Sequence, residues 1–120
     1  GEMMEGCVWE SFMSAANYHL DNLVYIIDRN RLSQEAHTED EMALEPLHQK
    51  LESFGLFVCD IDGHNIQAVK EAFDQNPGDK PKAILANTKK GYGVPGYEDQ
   101  PKSHFAHLQD EEYQKALSAL

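Results

Sequence analysis

The strongest constraint on the fold is a run of five apolar, β-prone residues, Leu23-Val24-Tyr25-Ile26-Ile27, with no polar residue at alternate positions. A strand that shows one face to water alternates apolar and polar side chains, whereas a parallel strand covered on both faces carries an unbroken apolar run. Leu56–Ile61 and Ala83–Ala86 repeat the pattern. Helical signals lie between them. Trp9, Phe12, Met13, Ala16 and Leu20 form one stripe of a first helix, and Leu44, Leu47, Leu51 and Phe54 mark a second that Gly55 ends. Asn65 is placed to cap a third with Ile66, Val69 and Phe73 inward, and Asp110–Leu120 is the last. The order helix-strand-helix-strand-helix-strand-loop-helix predicts an α/β fold, a parallel sheet with helices on both faces. The chain opens on a helix rather than a strand, so a sheet of three strands is expected to be part of a larger one, incomplete at its N-terminus.

Charge narrows the partners. Twenty-one acidic against ten basic side chains leave a net charge of −11. Such a body repels nucleic acid and anionic membrane surfaces, whose binding relies on Lys and Arg. The acidic residues concentrate early: Gly1 to Asp28 has no Lys or Arg, and Glu35, Glu39, Asp40, Glu41 and Glu45 follow. No apolar run approaches the roughly 20 residues needed to cross a bilayer. Cys7 and Cys59 have no Cys-x-x-Cys spacing and read as core fillers in a reduced, cytoplasmic compartment. A length of 120 residues suits one domain.

In an open parallel sheet, ligands bind outside the carboxyl ends of the strands. Those ends carry Asp28-Arg29-Asn30-Arg31-Leu32, Asp62-Gly63-His64-Asn65 and Asn87-Thr88-Lys89-Lys90-Gly91-Tyr92-Gly93. Oxygen ligands, glycines and two lysines on one edge suit a magnesium-bound phosphate group. The long irregular stretch Thr88–Leu108 adds a loop of functional length. His64 reads as a turn residue, and the remaining histidines show no zinc spacing.

Together, Gly1-Glu2-Met3-Met4-Glu5-Gly6, Trp9-Glu10, Leu20-Asp21-Asn22-Leu23, Ile27-Asp28-Arg29-Asn30-Arg31-Leu32, Ser53-Phe54-Gly55, Asp62-Gly63-His64, Thr88-Lys89-Lys90-Gly91-Tyr92-Gly93 and Ser103-His104 resemble the thiamine-diphosphate-binding domain of transketolases. The likeness covers nearly the whole chain, read as a single partial domain over residues 1–120. It implies thiamine diphosphate and Mg²⁺, or another divalent cation, as cofactors. Asn30 matches the family's asparagine metal ligand, the carbonyl of Leu32 its backbone ligand, and Gly1 the last glycine of a Gly-Asp-Gly triplet close to the diphosphate. The triplet's metal-binding aspartate would fall immediately before Gly1.

Glu5 resembles a glutamate at the subunit interface that hydrogen-bonds the neighbouring subunit's cofactor-activating glutamate. His104 resembles the histidine that contacts the diphosphate and the reacting end of the substrate, where an imidazole transfers protons near neutral pH. Two departures stand out. Phe105 occupies a position where the family usually has glycine, and Gln34 one where an apolar residue meets the thiamine ring.

The implied activity is transfer of a two-carbon ketol unit between sugar phosphates, this chain supplying part of the diphosphate and metal site and being inactive alone. The implied partners are a pyrimidine-binding domain or C-terminal transketolase subunit, in a dimer or heterotetramer. A non-catalytic remnant or interaction module of the same fold is the competing expectation.

Overall fold

A computed structural model describes residues 1–119. A 3₁₀ turn at Glu2–Met4 leads into α1 (Gly6–Asn17), β1 (Val24–Arg29), α2 (Thr38–Glu41), α3 (Leu47–Ser53), β2 (Phe57–Asp62), α4 (Ile66–Asp74) and β3 (Lys82–Asn87). A second 3₁₀ turn at Pro101–Phe105 precedes α5 (Asp110–Ala119); the expected last residue of that helix, Leu120, lies outside the described residues. The three strands pair in parallel in the order β1-β3-β2, with Ile26 opposite Ile84 and Cys59 opposite Ile84. The central strand, β3, is buried along almost its whole length. Its unbroken apolar run has the cause the sequence suggests: helices lie on both faces.

One face packs Phe12 of α1 and Leu47 and Leu51 of α3 against Ile27, Ala83 and Leu85. An aromatic cluster extends this layer: Phe12 meets Tyr25 edge-on at 4.8 Å between ring centroids, and Trp9 sits 5.3 Å from Phe54. Such pairs stabilise by about 0.5 to 1.5 kcal/mol beyond area burial. The other face is thinner, with Ala72 of α4 against Cys59 and Ile84. It stops short of β1, and Ile26 on that face is 65% exposed.

Several helix details differ from the periodicity. Met13 projects to solvent, and the buried pair in α1 is Phe12 and Ala15. The second expected helix starts at Leu47 rather than Leu44, because Glu45 and Pro46 are extended and proline occupies the cap position. Ile66 and Phe73 face outward at 80% and 46% exposure, and the inward residue of α4 is the small Ala72. A four-residue helix, α2, forms within the acidic cluster. Cys7 is exposed and only Cys59 is a core residue, its thiol pushed above the ordinary value by burial despite the Lys82 charge nearby. Among the described residues no helix is long and apolar enough to cross a membrane.

Candidate functional site

The carboxyl ends of the strands are bound together by side chains. The Thr88 hydroxyl donates to one oxygen of Asp28, and the Asn30 amide nitrogen donates to the other at 3.4 Å. Asn30 Oδ1 in turn accepts from the Leu32 N–H at 2.9 Å, an Asx turn with Arg31 held at φ 63° between them. The amide is thereby oriented from both ends: its nitrogen is engaged by a carboxylate, and its oxygen retains a second lone pair. A parallel network joins the same edge, in which Arg29 donates to Asn87 Oδ1 at 2.7 Å and also pairs with Glu45. Burial works to raise the Glu45 pKa, but hydrogen bonds from Arg29 and the Leu47 amide, with the Arg29 and Arg31 charges, outweigh it and hold the carboxyl below its usual value.

Next to this edge opens a cleft of about 580 Å³. Gly1, Glu5, Asn30, Leu32 and His104, the five residues singled out by resemblance, all line it, together with Lys90. They come from four separate segments. The first reaches the cleft through its 3₁₀ turn, closed by Met4 N–H to Gly1 O at 2.8 Å and pinned by Trp9 Nε1–H to Met3 O at 2.8 Å. Glu5 stands at the N-cap of α1, and its side chain makes no capping hydrogen bond. A Cβ built on Gly1 meets nothing within 4 Å, so the protein itself does not demand glycine there. The loop after β3 brings Lys90, and the second 3₁₀ turn brings His104.

Both departures from the family pattern touch this site. Gln34 lines the cleft, giving it a polar amide, and the Phe105 ring stands edge-on to His104 at 4.7 Å and 81°. His64, by contrast, serves the turn it sits in. Its N–H donates to Asp62 Oδ1 at 2.9 Å, its Nε2 accepts the Lys89 N–H at 2.8 Å, and it stacks on Tyr92 at 3.8 Å. It clips the start of the long loop to the end of β2.

Four carboxylates, Glu2, Glu5, Glu35 and Glu41, share the cleft lining with the ammonium of Lys90. An anion enters such a space only in company with a cation. The oxygen donors available to a hard cation are Asn30 Oδ1 and the Leu32 carbonyl, which accepts no hydrogen bond from the described residues. Two neutral oxygens fit Mg²⁺ that completes its octahedron with phosphate oxygens and water. They do not make a closed metal cage, and among the described residues no three His, Cys, Asp or Glu side chains group to form one.

The contributions of Asp28, Thr88, Trp9 and Ser33 escape a motif reading. Position at a strand end points to Asp28 and Thr88; nothing in sequence spacing points to Trp9 or Ser33.

Comparison with known proteins agrees with this geometry. The family described as transketolase, thiamine diphosphate binding domain, matches residues 1–120. One of the two subunits of apulose-4-phosphate transketolase from Actinobacillus succinogenes is 37% identical over 121 residues, covering all of this chain and 44% of that protein. The 6-deoxy-6-sulfo-D-fructose transketolase subunit SqwG from a Clostridium species is also 37% identical, with 44% of it covered. Human transketolase is 39% identical over 104 residues, 16% of its length. The crystal structure of transketolase from Campylobacter jejuni superposes with a TM-score of 0.90 at 31% identity, over 99% of this chain and 19% of that one. The chain thus spans less than half the length of these subunits and under a fifth of the longer transketolases.

Proposed function

The chain belongs to the transketolase thiamine diphosphate binding domain family, and from that premise we propose that it supplies the diphosphate and Mg²⁺ part of an active site transferring a two-carbon ketol unit between sugar phosphates. The observation that carries this reading is the convergence of Gly1, Glu5, Asn30, Leu32 and His104 on one cleft at the carboxyl edge of the sheet. Asn30 Oδ1 and the Leu32 carbonyl would hold the metal, and the Gly1 backbone leaves room for the diphosphate beside it. Thiamine diphosphate, when bound, supplies the electron sink for breaking and forming a carbon–carbon bond next to a carbonyl. The protein's part is to bind, orient and exclude water. Lys90 and His104 offset the anion's remaining charge at the open side of the cleft.

The work is shared with other polypeptide surface. Glu5 has a carboxylate uncommitted by any capping bond, and the reading gives it a contact with a neighbouring subunit. A pyrimidine-binding domain or C-terminal subunit would complete the pocket, in a dimer or heterotetramer, as relatives named as subunits suggest. Two unpaired cysteines accord with a cytoplasmic setting.

Titration calorimetry with thiamine diphosphate, with and without Mg²⁺, tests the reading. The expected result is weak, Mg²⁺-dependent binding that Asn30→Ala removes, since the metal ligands this reading gives the chain are neutral oxygens. Binding that is indifferent to Mg²⁺, or that survives Asn30→Ala, overturns the assignment. The lack of a carboxylate cage among the described residues favours a second reading, a fold that keeps the core without the chemistry. It predicts no heat of binding up to millimolar cofactor, either alone or with a partner subunit.

A further inference from the structure

The Lys90 side chain is tethered at three points. Its backbone carbonyl accepts the Asp99 N–H at 3.0 Å, its ammonium donates to the Ser33 carbonyl at 3.2 Å, and the same nitrogen lies 3.4 Å from His104 Nδ1. The Ser33 anchor is itself rigid. It is buried and closed on Ala36 by Ser33 N–H to Ala36 O at 2.9 Å, Ser33 Oγ to Ala36 O at 3.1 Å and Ala36 N–H to Ser33 Oγ at 3.3 Å. The ammonium is therefore directed at the ring by a fixed acceptor rather than by chance of rotamer.

An ammonium has three donors and no acceptor, so His104 Nδ1 must accept in this contact, and the ring proton must sit on Nε2. A ring carrying a proton on Nδ1 would turn an N–H toward the ammonium and break the contact. The Phe105 edge, 4.7 Å from the ring centroid, limits rotation that could exchange the two nitrogens. The charged groups on the other elements lining this cleft are Glu2 and Glu5 from the N-terminal segment, Glu35 after β1, and Glu41 of α2. None of them hydrogen-bonds His104 among the described residues, so Lys90 is the polar group that sets its tautomer.

We infer that Lys90 is a positioning residue that holds His104 in its Nε2–H form, so that this histidine meets an anion in the cleft as a hydrogen-bond donor rather than as a proton acceptor. The inference rests on the proposed function for the identity of the anion, but the tautomer is a property of the ligand-free protein.

Two measurements test it separately. In ¹⁵N-histidine-labelled protein, at alkaline pH, long-range ¹H–¹⁵N spectra should show His104 Nε2 protonated and Nδ1 unprotonated. Lys90→Met should allow a measurable Nδ1–H fraction, and Lys90→Arg, which restores a donor, should remove it again. A parent ring already protonated on Nδ1, or a Lys90→Met spectrum identical to the parent's, overturns the inference without reference to any cofactor. Donation to the anion is read by titration with Mg²⁺ and thiamine diphosphate. His104→Gln, which keeps an N–H donor, should retain affinity, and His104→Leu should lose about tenfold, the scale of one hydrogen bond to a charged group. Equal losses in both variants sink the donor role, whereas absence of binding by the parent counts against the proposed function and leaves the tautomer result standing.

Discussion

Lys82 carries a charge into the core without a carboxylate to meet it. It is 3% exposed, and its ammonium donates to the carbonyls of Ala72, Phe73 and Gln75 at 2.8, 2.7 and 2.6 Å. Those carbonyls close α4, where the last turn has no intrahelical donors and the helix dipole is negative. One side chain thus caps a helix from the neighbouring strand. Lys82→Met is expected to leave the carbonyls unsatisfied and to lower stability by about 1 to 3 kcal/mol. Urea denaturation should show a lower midpoint at unchanged slope; an unchanged or higher midpoint would mean that desolvating the ammonium costs as much as its three bonds return. Nothing in Lys80-Pro81-Lys82 marks this lysine as buried, because a charged residue entering a strand reads as solvated. The Lys90–Ser33 contact hides for a related reason: it joins residues 57 positions apart through a backbone carbonyl, which carries no residue signature. Asn30, Leu32 and His104 are legible before the fold only because the motifs around them resemble a family. Spacing alone leaves them as turn residues.

Among the elements, the sequence is most readable where a local rule suffices. Asn65 has cap chemistry, and its Oδ1 accepts from the Gln67 and Ala68 amides at 3.0 and 3.1 Å. Since α4 has only nine residues and one fully buried side chain, the cap is a large share of what holds it. Asn65→Ala should destabilise by about 1 kcal/mol, seen as a lower thermal midpoint; Asn65→Ser or Asn65→Asp should restore most of it. Unchanged stability in Asn65→Ala would show that packing of Ala72 alone fixes the helix. The strands are readable from their apolar runs, because a strand covered on both faces leaves an unambiguous trace. Helix faces are less so. The three strands leave one face of β1 uncovered, and helical periodicity in α4 points large residues inward, whereas contact with the sheet at Cys59 and Ile84 is made by Ala72. Strand order is not accessible at all: β3 inserts between β1 and β2, a consequence of helices crossing on opposite faces rather than of any local signal.

The whole molecule is more extended than its length suggests. A compact domain of this size has a radius of gyration of about 14 Å, whereas this one has 16.5 Å and a longest axis of 51 Å. The excess comes with unpaired surface. Among the described residues β1 is an edge strand; beside it runs a groove lined by Met3, Val8, Phe12, Tyr25 and Ile27, and Ile26 lies open on the opposite face. An apolar edge of this kind is a template for association. Net charge works in the other direction, since −11 on a small body keeps copies apart. Salt decides between the two, because it shortens the screening length from about 10 Å at 0.1 M to about 3 Å at 1 M and leaves apolar contact untouched. Sedimentation velocity of the isolated chain should therefore show a weight-average coefficient that rises with protein concentration and rises more steeply in high salt. Ile26→Lys, which places a charge on the uncovered face without disturbing the core, should flatten that rise. Association that instead weakens with salt would mean that opposite charges hold the copies together, and would move the interface from the β1 edge to the boundary between the acidic N-terminal segment and the lysines of the long loop.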